Sequence, residues 1–204
     1  MATACVCLLT ACSQKSNKTV IDNEPTSITW IEDKSGGNMQ PLSLYPDVPD
    51  SLWNALGLLE GIPSSMSCFL LKTEGKNILL DAVLGAPFSQ IFPKLKELGV
   101  AHEELQHKDR LHLFEAGDTL EGGVKTIAAY GHTPGHTVFQ KDSILVIADL
   151  IHGAALQLEH PEYCPSYDMD ADAARQSRLK ILEYARANNL TMYGMHLPAP
   201  GSIK

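Results

Sequence analysis

The chain has 204 residues, a formal net charge of −8, 44% hydrophobic and 20% charged residues. That is the composition of an ordinary globular domain, long enough to bury a sizeable core. The acidic balance and the lack of a Lys/Arg stripe argue against a nucleic-acid partner, because phosphate binding needs clustered cations. No stretch reaches the ~20 apolar residues that span a bilayer.

The N-terminus differs from the rest. Ala2 to Ala11 is small and apolar, ends in Leu9-Thr10-Ala11-Cys12, and is followed by polar Ser13 to Lys18. An apolar run closed by small residues at a cut site reads as a secretory signal. Leu-Thr-Ala-Cys resembles the bacterial lipobox, which implies lipid on Cys12; the departure is that no Lys or Arg lies between Met1 and Cys12. The expected organisation is a lipoprotein-type signal over residues 1–12, a flexible tether over 13–26 and one domain over 27–204. The expected location is the bacterial cell envelope, lipid-anchored or periplasmic, with the membrane reached only through Cys12. Cys68 and Cys164 remain after cleavage; without a C-x-x-C pattern they read as small buried hydrophobes.

In chain order, Ser27–Glu32 alternates and is β-branched, which predicts a strand. Residues 33–50 carry Gly36, Gly37, Pro41, Pro46 and Pro49 and predict a loop. Residues 51–60 predict a short helix with Leu52, Leu56 and Leu59 on one face. Two apolar runs, 66–73 and 76–82, flank Glu74-Gly75 and predict a β-hairpin. Residues 89–98 predict a helix with Pro93 near its first turn and Gly99 closing it. Strands are expected over 124–130, 143–148 and 190–194. The clearest helix runs from Asp170 to Asn189. Strands mixed with helices give an α/β (α+β) class. No phosphate-binding glycine motif follows any strand.

Three places carry metal-ligand chemistry, each just after a predicted strand, where loops present side chains. They are Gly131-His132-Thr133-Pro134-Gly135-His136-Thr137, then Ile147-Ala148-Asp149, then Gly194-Met195-His196-Leu197-Pro198. Imidazole and carboxylate suit zinc. Taken singly, each has a plain structural alternative: a core histidine, or an aspartate capping a turn.

Together, their order and spacing resemble the metallo-β-lactamase superfamily, in its lactonase-like branch, from about Ser67 to the C-terminus. Asn77-Ile78-Leu79-Leu80-Asp81-Ala82 resembles its early strand. The resemblance implies an αββα sandwich and zinc-dependent hydrolysis of an ester, lactone, thioester or lactam, with a small-molecule substrate. It implies His136, Asp149 and His196 as metal ligands, Asp149 also as the catalytic residue holding the water, and His132 as structural. The departure is that the H-x-H-x-D-H signature is missing. The eight histidines are His102, His107, His112, His132, His136, His152, His160 and His196, none two residues from another. The interval from Gly99 to Val124 is too short for the usual strand, metal loop and helix, so the first half of the sandwich is expected to be incomplete. His102, His107 and His112 fall five apart, which places them on no common face of a helix or strand. The three remaining donors leave room for one zinc or for none, in place of the two of intact relatives. Three readings follow: a reduced zinc hydrolase, a non-catalytic lipid-anchored envelope binding protein, or a truncated gene product.

Overall fold

A computed structural model describes residues 9–11, 25–34, 36–81, 89–100 and 113–204. Cys12, the body of the signal and tether segments, and His102, His107 and His112 lie outside the described residues.

The first sheet has the order β1-β6-β5-β2, all antiparallel, from β1 (Leu9–Ala11), β2 (Ser27–Glu32), β5 (Ser67–Thr73) and β6 (Lys76–Leu80). The hairpin joining β5 to β6 turns at Glu74 (φ 50°) and Gly75 (φ 71°). Positive φ at both central positions is the turn whose twist matches paired strands. Strand alternation then sorts β5 between two cores. Phe69 and Leu71 face inward with Ile78 and Leu80, while Cys68 and Leu70 face outward.

Outward, Cys68, Leu70 and Leu79 pack against Ile91 and Leu95 of α2 (Ile91–Glu97). Pro93 is its third residue, where no intrahelical N–H is lost, and Gly99 at φ 76° ends the turn. Cys68 is fully buried and free, as its apolar context predicts, and burial pushes its thiol well up.

The second sheet has the order β12-β11-β10-β9-β8-β7. Its strands are β7 (Thr119–Leu120), β8 (Val124–Ala128), β9 (Thr137–Lys141), β10 (Ile144–Ala148), β11 (Thr191–Gly194) and β12 (Ser202–Ile203). Among the described residues of this sheet, only β10 and β11 run parallel. Their crossover carries α3 (Ala154–Gln157) and α4 (Ala171–Ala187). Such a connection needs a dozen or more residues and covers the sheet face. Phe139, Val146 and Met195 meet the first sheet, whereas Val138, Leu145 and Ile147 meet Ile181, Leu182 and Ala185 of α4. The layers are therefore α2, sheet, sheet, α4: the expected αββα sandwich.

Two local expectations are corrected. Residues 33–50 are not loop throughout, because β3 (Asn38–Gln40) pairs with β4 (Ile62–Ser64) and a 3-10 turn spans Leu42–Leu44. The helix expected over 51–60 is α1 (Asp50–Leu56), stopped by Gly57 at φ 68°. β9, which the sequence reading did not anticipate, is a central strand of its sheet; its polar end, Gln140-Lys141, hides a start as buried as Val138.

Candidate metal centre

Asp149 follows β10 at a point where the backbone breaks its own rules. Ala148 has φ 48°, and the pairing of β10 with β11 shifts register between Val146 and Ala148. Positive φ in a non-glycine residue is uncommon and persists only where the surroundings enforce it. Here the bulge re-aims the chain, so that the Asp149 carboxylate points along the strand ends toward the loop after β11.

That loop is clamped by serines. Ser65 Oγ donates to Leu197 O (2.7 Å), Ser67 Oγ to Met195 O (2.8 Å) and Ser64 Oγ to His196 O (3.1 Å). Ser65 O accepts the Nδ1 hydrogen of His196 at 2.9 Å. The His196 Nε2 is thereby directed at Asp149 Oδ1, 3.1 Å away. Burial alone would lower the His196 pKa, but the hydrogen bond and charge of Asp149 outweigh it and raise it. Burial alone would raise the Asp149 carboxyl, yet the hydrogen bond and charge of His196 hold it well below the usual range.

The Pro-Gly-His loop is docked on the start of α4. Gly131 O accepts from Asp170 N–H (2.9 Å), while the Asp170 carboxylate caps the helix by accepting from Ala173 N–H (2.9 Å). A Cβ on Gly131 would stand 2.0 Å from Ala174 N, so no other residue fits. His136 emerges with both ring nitrogens engaged by backbone: Nδ1 meets Ala129 O (2.9 Å) and Nε2 accepts the Asp149 N–H (3.1 Å). Burial lowers its pKa, so the ring is neutral.

The three expected ligands are therefore brought together in part. Asp149 and His196 meet directly. His136 reaches Asp149 through its peptide group, not its carboxylate. His132, expected to be structural, stands closer to the chemistry: its Nε2 is 3.7 Å from Asp149 Oδ2 and its Nδ1 is 3.0 Å from Asp168 Oδ1.

Three further residues were missed by sequence reasoning. His152 is 2% exposed, its Nδ1 has no partner, and its ring stacks on His196 at 4.7 Å and lies 4.8 Å from the His132 ring. Burial, then the charge of His196, pushes its pKa well down. Its backbone is fixed by Gln157, whose Oε1 accepts from His152 N–H (2.9 Å), Gly153 N–H (3.0 Å) and the Tyr45 hydroxyl (3.2 Å). Asp168 and Arg178 are the second and third, paired at 3.4 Å with side chains 1% exposed each. Arg178 carried a signal: it sits on the inward stripe of α4 with Ala174, Ile181 and Ala185, where a charge demands a partner. His152 carried one too, three residues after Asp149 inside an apolar run.

Among the described residues, two groups of donors lie within 4.8 Å of one another: Asp149, His152 and His196, and His132, His152 and Asp168. Tyr167, 40% exposed, covers them with its ring 4.9 Å from that of His152.

No protein-family model and no curated protein matches the chain. Solved structures do. One is the hydrolase AbOPH of the β-lactamase superfamily (TM-score 0.74, 22% identity, 89% of this chain and 90% of that one). Another is AidC, a dizinc quorum-quenching lactonase (TM-score 0.72, 18% identity, 87% and 90%). A third is described as a probable metal-dependent hydrolase from Staphylococcus aureus (TM-score 0.68, 16% identity, 84% and 89%). At these identities, what the likeness establishes for this chain is its architecture: it has the αββα fold of the metallo-β-lactamase superfamily.

Proposed function

We propose that this chain is a single-zinc hydrolase in which Asp149, His152 and His196 hold the ion and a small ester, lactone, thioester or lactam is the substrate. The observation that carries the reading is the convergence of an ionised carboxylate and two imidazoles, one of them with a buried nitrogen that no protein group satisfies. A buried polar atom without a partner is rare and calls for an explanation. A carboxylate and two histidines with a position left for water is also the donor set of catalytic zinc.

A bound zinc ion supplies a Lewis acid and makes water nucleophilic near neutral pH. The chain does the rest. Asp149 stays ionised at any physiological pH and supplies the one negative charge. His152 stays neutral, so its lone pair needs no deprotonation before binding. The Ser65 carbonyl fixes the His196 tautomer with Nε2 as donor. Tyr167 flanks the cluster, with its ring against those of His132 and His152.

The missing H-x-H-x-D-H donors support one ion in place of two, and slower turnover than a two-metal neighbour. For the location we propose the cell envelope, with lipid on Cys12, on the strength of Leu9-Thr10-Ala11-Cys12.

The experiment is zinc analysis of purified and zinc-reconstituted protein, followed by assay against a panel of esters and lactones. About one zinc per chain and hydrolysis abolished by Asp149→Ala is the expected result. Absence of zinc after reconstitution overturns the reading. Zinc without hydrolysis across the panel favours a non-catalytic binding protein.

A further inference from the structure

We infer that the groove between the β3–β4 ribbon and the loop after β11 is a second binding site, for a small organic cation with an apolar body. The site goes beyond the zinc hydrolase and does not depend on it, because none of the side chains of the histidine cluster lines this groove. Its volume is about 500 Å³, within the range of small-molecule sites (~300–1,000 Å³). One wall is the ribbon, where Met39 and Pro63 stand opposite each other in the strand register. The facing wall is Pro198 and Ala199. Met39 is 52% exposed, and a thioether adapts its shape to whatever apolar group meets it.

The charge comes from Glu32 at the end of β2, the one charged residue lining the groove among the described residues. Its Oε1 accepts the Gly37 N–H at 3.0 Å, which holds the carboxylate in place. No Lys, Arg or His pairs with it among the described residues. Gly36 and Gly37 make the turn beside it at φ 97° and 73°, and a Cβ on Gly36 would meet nothing within 4 Å. The turn therefore leaves open space next to the carboxylate. A fixed, unpaired carboxylate beside apolar walls attracts a cation and repels an anion, and a net charge of −8 adds to that preference.

The groove joins the histidine cluster through backbone rather than side chains. Ser64 lines it, accepts from Gln40 Nε2 (3.0 Å) and donates to His196 O (3.1 Å). Pro198 and Ala199 continue the chain that leaves His196. A ligand lodged between ribbon and loop braces the carbonyl side of His196 and leaves its imidazole with Asp149. A ligand that binds the folded chain alone raises its thermal stability by mass action.

The test titrates metal-free protein, its methionine methyls labelled for NMR, with phenethylamine and separately with hydrocinnamate, which carries the same phenylethyl arm on the opposite charge. The Met39 methyl signal, identified by its loss in Met39→Leu, is expected to move saturably with millimolar amine and to stay put with the acid. The methyl of Met169, a residue 71% exposed whose N–H bonds His132 O beside the cluster, should stay put with both. In Glu32→Gln the side-chain oxygen can still accept from Gly37 while the charge is gone. Amine binding should then weaken at least about fivefold with an unchanged far-UV spectrum. The Tm of wild type should rise with amine concentration. A Met39 signal that never moves, amine and acid titrating alike, or wild-type affinity in Glu32→Gln overturns the inference. Movement of Met169 in place of Met39 does so too, by putting the amine at the histidine cluster. Should Glu32→Gln fail to fold, the comparison of amine with acid on wild type decides alone. A chain that binds no zinc would overturn the hydrolase and leave this site standing.

Discussion

The peptide N–H of Asp149 is donated to Nε2 of His136 at 3.1 Å, so this imidazole holds the backbone of the acidic residue rather than sharing its carboxylate. With Nδ1 on Ala129 O, the ring is a strut between the end of β8 and the end of β10. His136→Ala leaves a half-buried N–H and a buried carbonyl without partners, a loss of roughly 2–4 kcal/mol. His196→Ala removes the bonds to Ser65 O and Asp149 Oδ1 at a half-buried position, and deletes a donor. Thermal melts and zinc titrations of the two variants should separate: His136→Ala mainly destabilised, His196→Ala mainly unable to hold zinc. Unchanged stability with lost zinc in His136→Ala would instead make His136 a direct ligand, as its motif suggests.

Gly131 tests whether the loop must dock on α4. An added methyl would meet the backbone of Ala174 at 2.0 Å, with φ 133° already outside the range of other residues. Backbone cannot yield as a side-chain tip can. Gly131→Ala should cost at least about 2 kcal/mol, which for a chain this size lowers Tm by roughly 4–8 °C. A melt within a degree of wild type would show that the loop re-docks without loss.

What was legible in the sequence, and what was not, divides along physical lines. Short-range signals held. Alternation in 27–32, Glu74-Gly75 between two apolar runs, and Asp170 before a helical stripe each describe a structure that neighbours in the chain determine. The layer order followed from the resemblance that the Pro-Gly-His and Asp149 motifs carried. The site was less legible because its assembly is long-range. Nothing near His132 announces Asp168, and nothing near His196 announces three serines that clamp its loop. His152 has a sequence signal in its place three residues after Asp149, but a histidine beside Leu150 and Ile151 reads equally as core, and the fold adds what decides it, a buried Nδ1 with no partner among the described residues. Arg178 could have been found, since a charge on the apolar face of α4 has no cheap explanation.

Acid should destabilise the metal-free protein, and the sign follows from the buried rings. His136 and His152 are pushed below the ordinary imidazole range by burial, so the folded chain refuses protons that the unfolded chain accepts near pH 6.5. Stability is lost as pH falls below that value. His196 works the other way, since its pKa is raised: its contribution is complete below about pH 6.5 and is lost only as pH rises through the raised value. Asp149, with its pKa depressed, contributes fully above about pH 3.9 and loses that contribution only under stronger acid. Between pH 6.5 and 4.5 neither His196 nor Asp149 offsets the two buried rings. The Tm of metal-free protein should therefore decline across that interval, and His152→Gln should flatten the decline. A Tm that rises on acidification would contradict the assignment of neutral rings.

The lipid reading of Cys12 meets a structural competitor. Leu9–Ala11 form β1 and pair with Leu79, Ile78 and Asn77 of β6, at the edge of the first sheet. A chain cut before Cys12 cannot keep that strand, so β6 would become the sheet edge, and an open edge invites pairing with other chains. Lipid at residue 12 and β1 in the sheet are therefore exclusive in one molecule. Expression in a bacterium with an intact export pathway, followed by intact-mass measurement, separates them. A mass that begins at Cys12 and carries added acyl chains, lost in Cys12→Ala, is the expected outcome. A chain that retains Leu9–Ala11 would remove the anchor and leave β1 to protect the edge of β6.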